Sequence, residues 1–229
     1  MLAPAILIGV LAQFDSMDQS SNQQMSKVSG QGWMVGPYAT VRLWDNVFWQ
    51  ARGAWGQSSN KVSPFQTYTD SFTSERWLAS STLTGRWALG PWLLKPSASV
   101  AYIEDVAASY TDTFGIVVPE VGARLGQAKA GPEISYRYQF SPNLVIEPHA
   151  KVQAIWNFAG DTSAAGLGVI SGVNAGPLGV RGRVEIGQRA TTASGFALDL
   201  SGSYDGIGSS ESGGYDAYTA KAQMHVPLN

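Results

Sequence analysis

The residues of this chain that could do acid-base or nucleophilic chemistry are few. His149 and His225 are the only two histidines among the 229 residues, and there is no cysteine. A serine nucleophile needs a general base within hydrogen-bond reach, and nothing in the sequence brings Ser97 or Ser135 to His149. Two histidines without clustered acids of ligand spacing make a poor metal site. We therefore predict no catalytic centre, no metal site and a protein that is not an enzyme.

Glycine pairs are the other pattern that could bind a ligand. Gly166-Leu167-Gly168 and Gly206-Ile207-Gly208 are the two candidates for a phosphate loop. Such a loop lies between a strand and a helix, and neither segment does, so no cofactor is predicted. The net charge of −2 lacks the basic excess of a nucleic-acid-binding domain, so no nucleic-acid partner is expected.

The composition is unusual for a soluble domain. Charged residues make up 14% of the chain, against about 25% in a typical soluble domain, and aromatic residues make up 11%. The apolar run from Ala3 to Ala12 is shorter than the roughly 20 residues that a membrane-spanning helix needs. A membrane β-barrel is compatible with this composition, because its strands alternate in polarity and never form long apolar runs.

Ten segments alternate between apolar and polar residues with a period of two, as strand side chains do when the two faces of a sheet differ. The clearest is the segment 127–140, in which Ala, Ile, Tyr and Phe alternate with Gln, Lys, Glu, Ser and Arg. The first segment, by contrast, is apolar on both faces. The ten predicted strands lie within residues 5–14, 33–44, 47–55, 76–89, 92–102, 127–140, 144–158, 180–189, 196–205 and 218–228.

The connections between the predicted strands are alternately short and long. Turn residues fill the short links at 44–46, 90–91, 141–143 and 191–195. The links at 15–32, 58–75, 105–126, 159–179 and 206–217 are long and rich in Ser, Thr, Asp, Gly and Asn. This alternation predicts an all-β, up-and-down antiparallel barrel with every short turn at one end. Outer-membrane barrels have that arrangement, with short periplasmic turns and long external loops.

Basic residues concentrate on the polar face of the strands, and we predict that they line a positively charged lumen. A hydrated lining without a net field is the alternative, because polar residues must face water inside any such barrel. Only Lys27, Lys61 and Arg124 among the bases fall in the predicted long loops. The acids on the polar face are Glu133, Glu147, Glu185 and Asp199, and the other acids are expected in loops or at strand ends. The predicted lumen-lining bases are Arg42, Arg52, Arg76, Arg86, Lys95, Lys129, Arg137, Lys151, Arg181, Arg183, Arg189 and Lys221.

A soluble β-sandwich would also alternate, but three features favour a transmembrane barrel. Nine of the ten predicted strands have 10–15 residues, whereas strands of globular sheets usually have about 5–6. Their apolar faces carry almost no charge. Aromatic residues recur near the ends of the apolar stripes, where the girdles of a membrane barrel lie. The girdle candidates are Trp33, Trp55, Trp77, Trp87, Trp92, Tyr102, Tyr138, Trp156, Tyr204 and Tyr218.

The order and spacing of several stretches resemble the C-terminal translocator domain of autotransporters, the type V secretion proteins of Gram-negative bacteria. The stretches are GWMVGPYATVRLWDNVFWQARGAWGQSSN, YTDSFTSERWLASSTLTGRW, PSASVAYIEDVAASYTDTFG, GPEISYRYQFSPNLVIEPHAKVQAIWNF and YTAKAQMHVPLN. The resemblance implies a barrel of twelve strands among the lipids of the bacterial outer membrane, where the barrel assembly machinery inserts it. It also implies that an N-terminal passenger crosses to the cell surface and that a linker helix lies in the lumen.

Two departures from the family pattern shape the expectation. With ten visible strands, residues 1–229 would form a single translocator domain without the first two strands, the linker helix and the passenger. Such an open barrel would be unstable alone in detergent. The family usually ends in an aromatic residue, whereas this chain ends in Val226-Pro227-Leu228-Asn229. The alternatives are a stand-alone ten-stranded porin or adhesin, with loops 58–75 and 159–179 as contacts, and an outer-membrane hydrolase that would depend on His149.

Overall fold

The structure, a computed structural model, describes residues 5–21, 26–160, 179–209 and 216–227. Residues 161–178 of the predicted connection 159–179 and residues 210–215 of the predicted connection 206–217 lie outside this description, as do Gly166-Leu167-Gly168 and the last two residues of the chain. The strands are β1 (Ile6–Ser21), β2 (Ser26–Trp44), β3 (Val47–Ser63), β4 (Asp70–Gly85), β5 (Trp87–Leu89), β6 (Trp92–Ala107), β7 (Tyr110–Thr111), β8 (Val117–Val118), β9 (Val121–Tyr136), β10 (Tyr138–Ser141), β11 (Leu144–Gly160), β12 (Gly179–Thr192), β13 (Ala197–Ile207) and β14 (Ala217–His225).

The long strands pair in chain order, which confirms the up-and-down antiparallel prediction. The order is β1-β2-β3-β4-β6-β9-β11-β12-β13-β14. The short strand β5 follows β4 after a break at Arg86, and β10 follows β9 after a break at Arg137. At each break the backbone amide still donates across the sheet, from Arg86 to the Asn46 carbonyl at 2.7 Å and from Arg137 to the Pro91 carbonyl at 2.8 Å. The described residues therefore form ten long antiparallel segments, as predicted.

Several predicted loops are strands instead. The β1–β2 register continues to Ser21 opposite Ser26, and the β3–β4 register continues to Val62 opposite Asp70. The predicted loops 15–32 and 58–75 are therefore wrong over most of their length. These extensions are rich in Ser, Gln and Asn on both faces, so backbone pairing persists where the apolar alternation has ended. Lys27, Lys61 and Arg124, predicted in loops, lie on β2, β3 and β9.

The connection between β6 and β9 contains a small hairpin, β7–β8, that bends towards the inner face of β4. The Thr113 amide and hydroxyl both donate to Asp70 Oδ1, at 3.0 and 2.7 Å. The rings of Phe72 and Tyr110 stack with centroids 5.5 Å apart. Burial raises the pKa of the Tyr110 phenol, and the carboxylates of Asp70 and Asp112 act in the same direction. These contacts hold the hairpin against the long-loop end of the barrel.

The face that points away from the barrel interior is apolar and exposed. Val152 is 54% exposed, Ile134 45% and Trp49 37%. A sandwich would bury such residues in its core, whereas a membrane barrel presents them to lipid. Three tryptophans form a row across β2, β3 and β4 on this face, with ring centroids 5.3 Å apart for Trp33–Trp55 and 6.4 Å for Trp55–Trp77. This row has the composition of an interfacial girdle.

Within the described residues, no helix is long and apolar enough to cross a membrane.

Close packing of β2 and β3 gives a first testable prediction. A Cβ added at Gly56 would lie 1.8 Å from the Trp33 carbonyl oxygen, whereas one added at Gly53 would meet nothing closer than the Leu78 carbonyl at 3.9 Å. Because the Gly56 neighbour is backbone, the strands must move apart. We expect Gly56→Ala to cost about 2 kcal/mol, the middle of the range for overpacking, and Gly53→Ala on the same strand to cost much less. Urea unfolding followed by heat-modifiable gel mobility measures both. Equal midpoints for the two variants would contradict this packing.

Candidate functional site

The barrel interior is the candidate functional site, and an ion-pair bridge defines it. Arg76 of β4 donates from Nη1 to Asp15 of β1 at 2.8 Å and from Nε to Asp105 of β6 at 2.7 Å. β1 and β4 are separated by two strands in the sheet, so the Arg76 side chain crosses the concave face. It passes over Gly32 of β2, where an added Cβ would lie 2.7 Å from Nη1. A glycine at this point keeps the path of the guanidinium open.

An apolar layer lies next to this bridge, inside the barrel. Its residues point inward and are almost fully buried. The sequence pattern predicted a polar interior, so this apolar layer is a departure from that prediction. The signal was present in the sequence, because these residues stand at positions of the polar parity. Alternation alone did not show that neighbouring strands would bring them together. The layer consists of Met34, Ala54, Leu78, Ile103 and Leu125, with Leu11 and Ala101 packed against it.

A chamber of about 640 Å³ adjoins the apolar layer on the side of the short turns. Leu7 and Leu11 supply part of an apolar wall, and hydroxyl, amide and cationic groups supply the rest. Arg52 Nε donates to Ser80 Oγ at 2.9 Å, which holds the guanidinium along the wall. The polar side chains around the chamber are Tyr38, Thr40, Gln50, Arg52, Ser80, Thr82, Ser99, Gln127 and Lys129.

A second ion-pair cluster joins β12 and β13. Asp205 is 2% exposed and accepts from Arg181 Nε at 2.7 Å and from Arg183 Nη2 at 2.6 Å. Nearby, Gln127 of β9 donates to Asn157 of β11 at 2.7 Å. Buried charges are stable only when they are paired and hydrogen-bonded, and this aspartate bonds two guanidiniums at once.

A third cluster lies towards the short-turn end of the interior. Lys95 Nζ lies 2.7 Å from Glu133 and 3.8 Å from Glu147. Arg189 Nη2 lies 2.7 Å from Asp199, and its Nη1 lies 3.6 Å from Glu147. The carboxylate of Glu147 therefore joins pairs on β6, β9, β12 and β13 into one network.

Neither histidine forms a catalytic pair with a serine in the part of the chain that the structure describes. His149 is buried, and its Nε2 lies 3.9 Å from Asp199, which is too long for a hydrogen bond. Ser135 stands opposite His149 in the β9–β11 register, but its hydroxyl donates to Glu147 at 2.7 Å. His225 lies on β14 and is exposed. Among the described residues, no group of three or more His, Cys, Asp or Glu is placed to hold a metal ion.

The twelve bases predicted to line the lumen differ in burial. Arg76 and Arg181 are buried; Arg52, Lys95, Lys129, Lys151, Arg183 and Arg189 are half-buried; Arg42, Arg86, Arg137 and Lys221 are exposed. The expectation that all other acids lie in loops or at strand ends is wrong for Asp15 and Glu75, which lie well within β1 and β4. Asp105 and Asp205 lie near the ends of β6 and β13, and their carboxylates, like that of Asp15, pair with inner arginines. The excess of positive charge inside is therefore smaller than the sequence count suggested.

A family model described as the autotransporter β-domain matches residues 1–208. The chain belongs to the autotransporter β-domain family. Members of this family are outer-membrane translocators for passenger secretion, and this chain is such a translocator domain. The family resemblance noted from the sequence is confirmed.

Solved structures share the fold of this autotransporter β-domain. The β-domain of the Bordetella autotransporter BrkA has a TM-score of 0.66 at 16% sequence identity, covering 96% of this chain and 80% of that one. The transport unit of AIDA-I from Escherichia coli has a TM-score of 0.60 at 12% identity, covering 97% of this chain and 83% of that one. A search of curated proteins gave no match.

Proposed function

We propose that this β-domain anchors an autotransporter in the outer membrane of a Gram-negative bacterium and holds the linker of an N-terminal passenger in its inner chamber. The observation that carries this proposal is the chamber of about 640 Å³. Its lining combines hydroxyl and amide groups with the apolar side chains of Leu7 and Leu11. The backbone groups of a polypeptide can hydrogen-bond the hydroxyl and amide groups, and its apolar side chains can pack against the leucines. Binding cavities commonly combine an apolar lining with a few polar groups in this way.

The basic residues of the interior favour an acidic linker. We propose that the twelve predicted bases face the lumen, and that those at the chamber set its field. Arg52 and Lys129 border the chamber on β3 and β9. Cations at the wall of a narrow, low-dielectric space raise the local concentration of anionic groups. A linker segment with Asp or Glu facing these two strands would suit the chamber best.

We propose two kinds of external partner for these strands. Outer-membrane lipids would cover the exposed apolar face, and the barrel assembly machinery would insert the strands. No pairing among the described residues joins β1 to β14, and unpaired strand edges are costly in lipid. We propose that further strands, supplied by the same polypeptide, pair with these edges and bring the barrel to twelve strands.

We assign the domain no catalytic role, because the Ser135 hydroxyl is bonded to Glu147 and not to His149.

Filling the chamber should block display of the passenger. Ser80→Trp places an indole in the chamber, whereas Ser81→Trp places the same group on the outward face beside Trp49. The pair is matched, because Ser80 accepts a hydrogen bond from Arg52 and Ser81 accepts one from Trp49 Nε1, both at 2.9 Å. In full-length protein with a reporter passenger, we expect Ser80→Trp to reduce surface display about tenfold, equivalent to about 1.4 kcal/mol. We expect Ser81→Trp to leave display nearly unchanged.

Flow cytometry of the reporter measures display, and heat-modifiable mobility of the membrane-extracted protein measures barrel assembly. Both variants must form the compact, heat-modifiable species for the comparison to count. Wild-type display by a correctly assembled Ser80→Trp protein would argue against passage or retention of the linker in this chamber.

A further inference from the structure

A polar cleft lies on the outside of the barrel, on the part of β1, β2 and β3 that extends beyond the tryptophan row. Its volume is about 350 Å³. Two rows of registered residues form it, and in each row one residue comes from each strand. The side chains that line it are Ser16, Gln31 and Ser59 in the first row and Asp18, Ser29 and Lys61 in the second.

The parity of the strands places this cleft on the lipid side. Gln31 and Ser29 are two and four residues from Trp33 on β2, and successive side chains alternate between faces. All three therefore share the outward face. Asp15, one residue before the cleft residue Ser16, points inward and bonds Arg76. The cleft is thus separated from the lumen by the sheet itself.

The height of the cleft matches the region of lipid headgroups and the space just above it. With a rise of about 3.4 Å per residue and a tilt of about 40°, the first row lies roughly 5 Å above Trp33. The second row lies roughly 10 Å above it by the same estimate. The headgroup region on each side of a bilayer is about 5–8 Å thick. A ligand that reaches both rows must project farther than a simple phospholipid headgroup.

The chemistry of the cleft suits a phosphorylated sugar. Lys61 is exposed, so its ammonium group can reach a phosphate beside the barrel. Asp18 lies 3.4 Å from Lys27 Nζ and can still accept hydrogen bonds from a sugar hydroxyl. Ser and Gln side chains add donors and acceptors. An ammonium group binds phosphate as a compact point charge through charge-assisted hydrogen bonds.

We propose that this cleft binds the phosphorylated sugar headgroup of a glycolipid whose acyl chains lie in the adjacent outer leaflet. The acyl chains contact the apolar face below the tryptophan row, and Lys61 contacts a phosphate. The sugar hydroxyls bond the serine and glutamine side chains of the first row. This site lies outside the barrel, so it goes beyond passenger translocation and does not depend on the contents of the lumen.

Native mass spectrometry of the full-length protein, extracted and delipidated in detergent, tests this site. The probes are a bis-phosphorylated, acylated glucosamine disaccharide (lipid A), its deacylated disaccharide bisphosphate, and phosphatidylglycerol. We expect lipid A to bind more tightly than the other two. Lys61→Glu should weaken lipid A binding about tenfold, because it replaces a charge-assisted contact by repulsion. Ser59→Trp, which fills the cleft, should weaken it similarly. Arg124→Gln, on the same outward face but on β9, should have no effect.

Three results would overturn the proposal. The first is unchanged lipid A binding by both Lys61→Glu and Ser59→Trp proteins. The second is equal affinity for the deacylated disaccharide, which would mean that a soluble sugar phosphate is the ligand. The third is equal affinity for phosphatidylglycerol, which would make the site a general phospholipid contact. Passenger display by the Lys61→Glu protein should stay at the wild-type level, which separates this test from that of the proposed translocation function.

Discussion

Replacing Arg76 by methionine is expected to lower the free energy of unfolding by about 3 kcal/mol. Removing one partner of a buried ion pair costs about 3–5 kcal/mol, because the remaining charge stays buried without compensation. Arg76 bonds Asp15 at 2.8 Å and Asp105 at 2.7 Å. The lower end of the range applies, since the Asp15 side chain is still 29% exposed and can gain water. Urea unfolding of the barrel in phospholipid vesicles, followed by tryptophan fluorescence, measures the change.

A variant without any of the three charges separates this effect from simple loss of packing. Arg76→Met combined with Asp15→Asn and Asp105→Asn removes the uncompensated carboxylates, so it should regain most of the lost stability. If the single Arg76→Met protein is as stable as wild type, or if the triple variant is less stable than the single, the bridge across the interior does not stabilise the barrel.

The second large loss of stability is expected from a charge placed on the lipid-facing side of the barrel. Val152 stands on the outward face of β11, four residues from Trp156, and is 54% exposed. We expect Val152→Arg to destabilise the folded barrel by about 2–4 kcal/mol, the cost of arginine on the lipid face near the bilayer midplane. The physical reason is transfer of a guanidinium from water into hydrocarbon. The same unfolding measurement in phospholipid vesicles reports it.

Two controls accompany this variant. Val152→Met changes the shape of the side chain at the same place without adding charge, and should cost much less than Val152→Arg because no charge enters hydrocarbon. Ser203→Arg adds the same guanidinium to the inner face of β13, opposite Glu185 in the β12–β13 register, where a carboxylate can pair with it. If Ser203→Arg lowers the free energy of unfolding as much as Val152→Arg does, the claim that one face meets lipid and the other meets water would be contradicted.

The alternation of single strands was readable from the sequence because each membrane-spanning segment meets two different solvents. Lipid selects Ile134 and Val152 on one face, and the interior selects Lys95, Glu133 and Lys151 on the other. The up-and-down topology was also readable, since short and long connections alternate strictly. Both predictions rest on local pattern, which is the part of a fold that a sequence displays directly.

The strand ends and the interior contacts could not be predicted, because neither leaves a local pattern in the sequence. The strand extensions around Ser29 and Ser59 are polar on both faces, so no period marks them as strands. Asp105 stands opposite Arg76 in the β4–β6 register, whereas Asp15 lies three strands from Arg76 and reaches it only because the sheet curves. The apolar layer around Leu78 and Ile103 likewise depends on neighbouring strands being in register. These contacts are properties of pairing between distant strands, which no single strand encodes.

Single-cysteine scanning of β4 tests the central claim most directly, because the chain contains no cysteine of its own. Ser80→Cys, Ser81→Cys, Thr82→Cys and Leu83→Cys, each labelled with an environment-sensitive fluorophore, are reconstituted in vesicles. We expect brominated lipid to quench the labels at 81 and 83, and a water-soluble quencher to reach those at 80 and 82. Quenching with the opposite parity, or equal lipid quenching at all four positions, would contradict a barrel with an apolar exterior and a hydrated lumen.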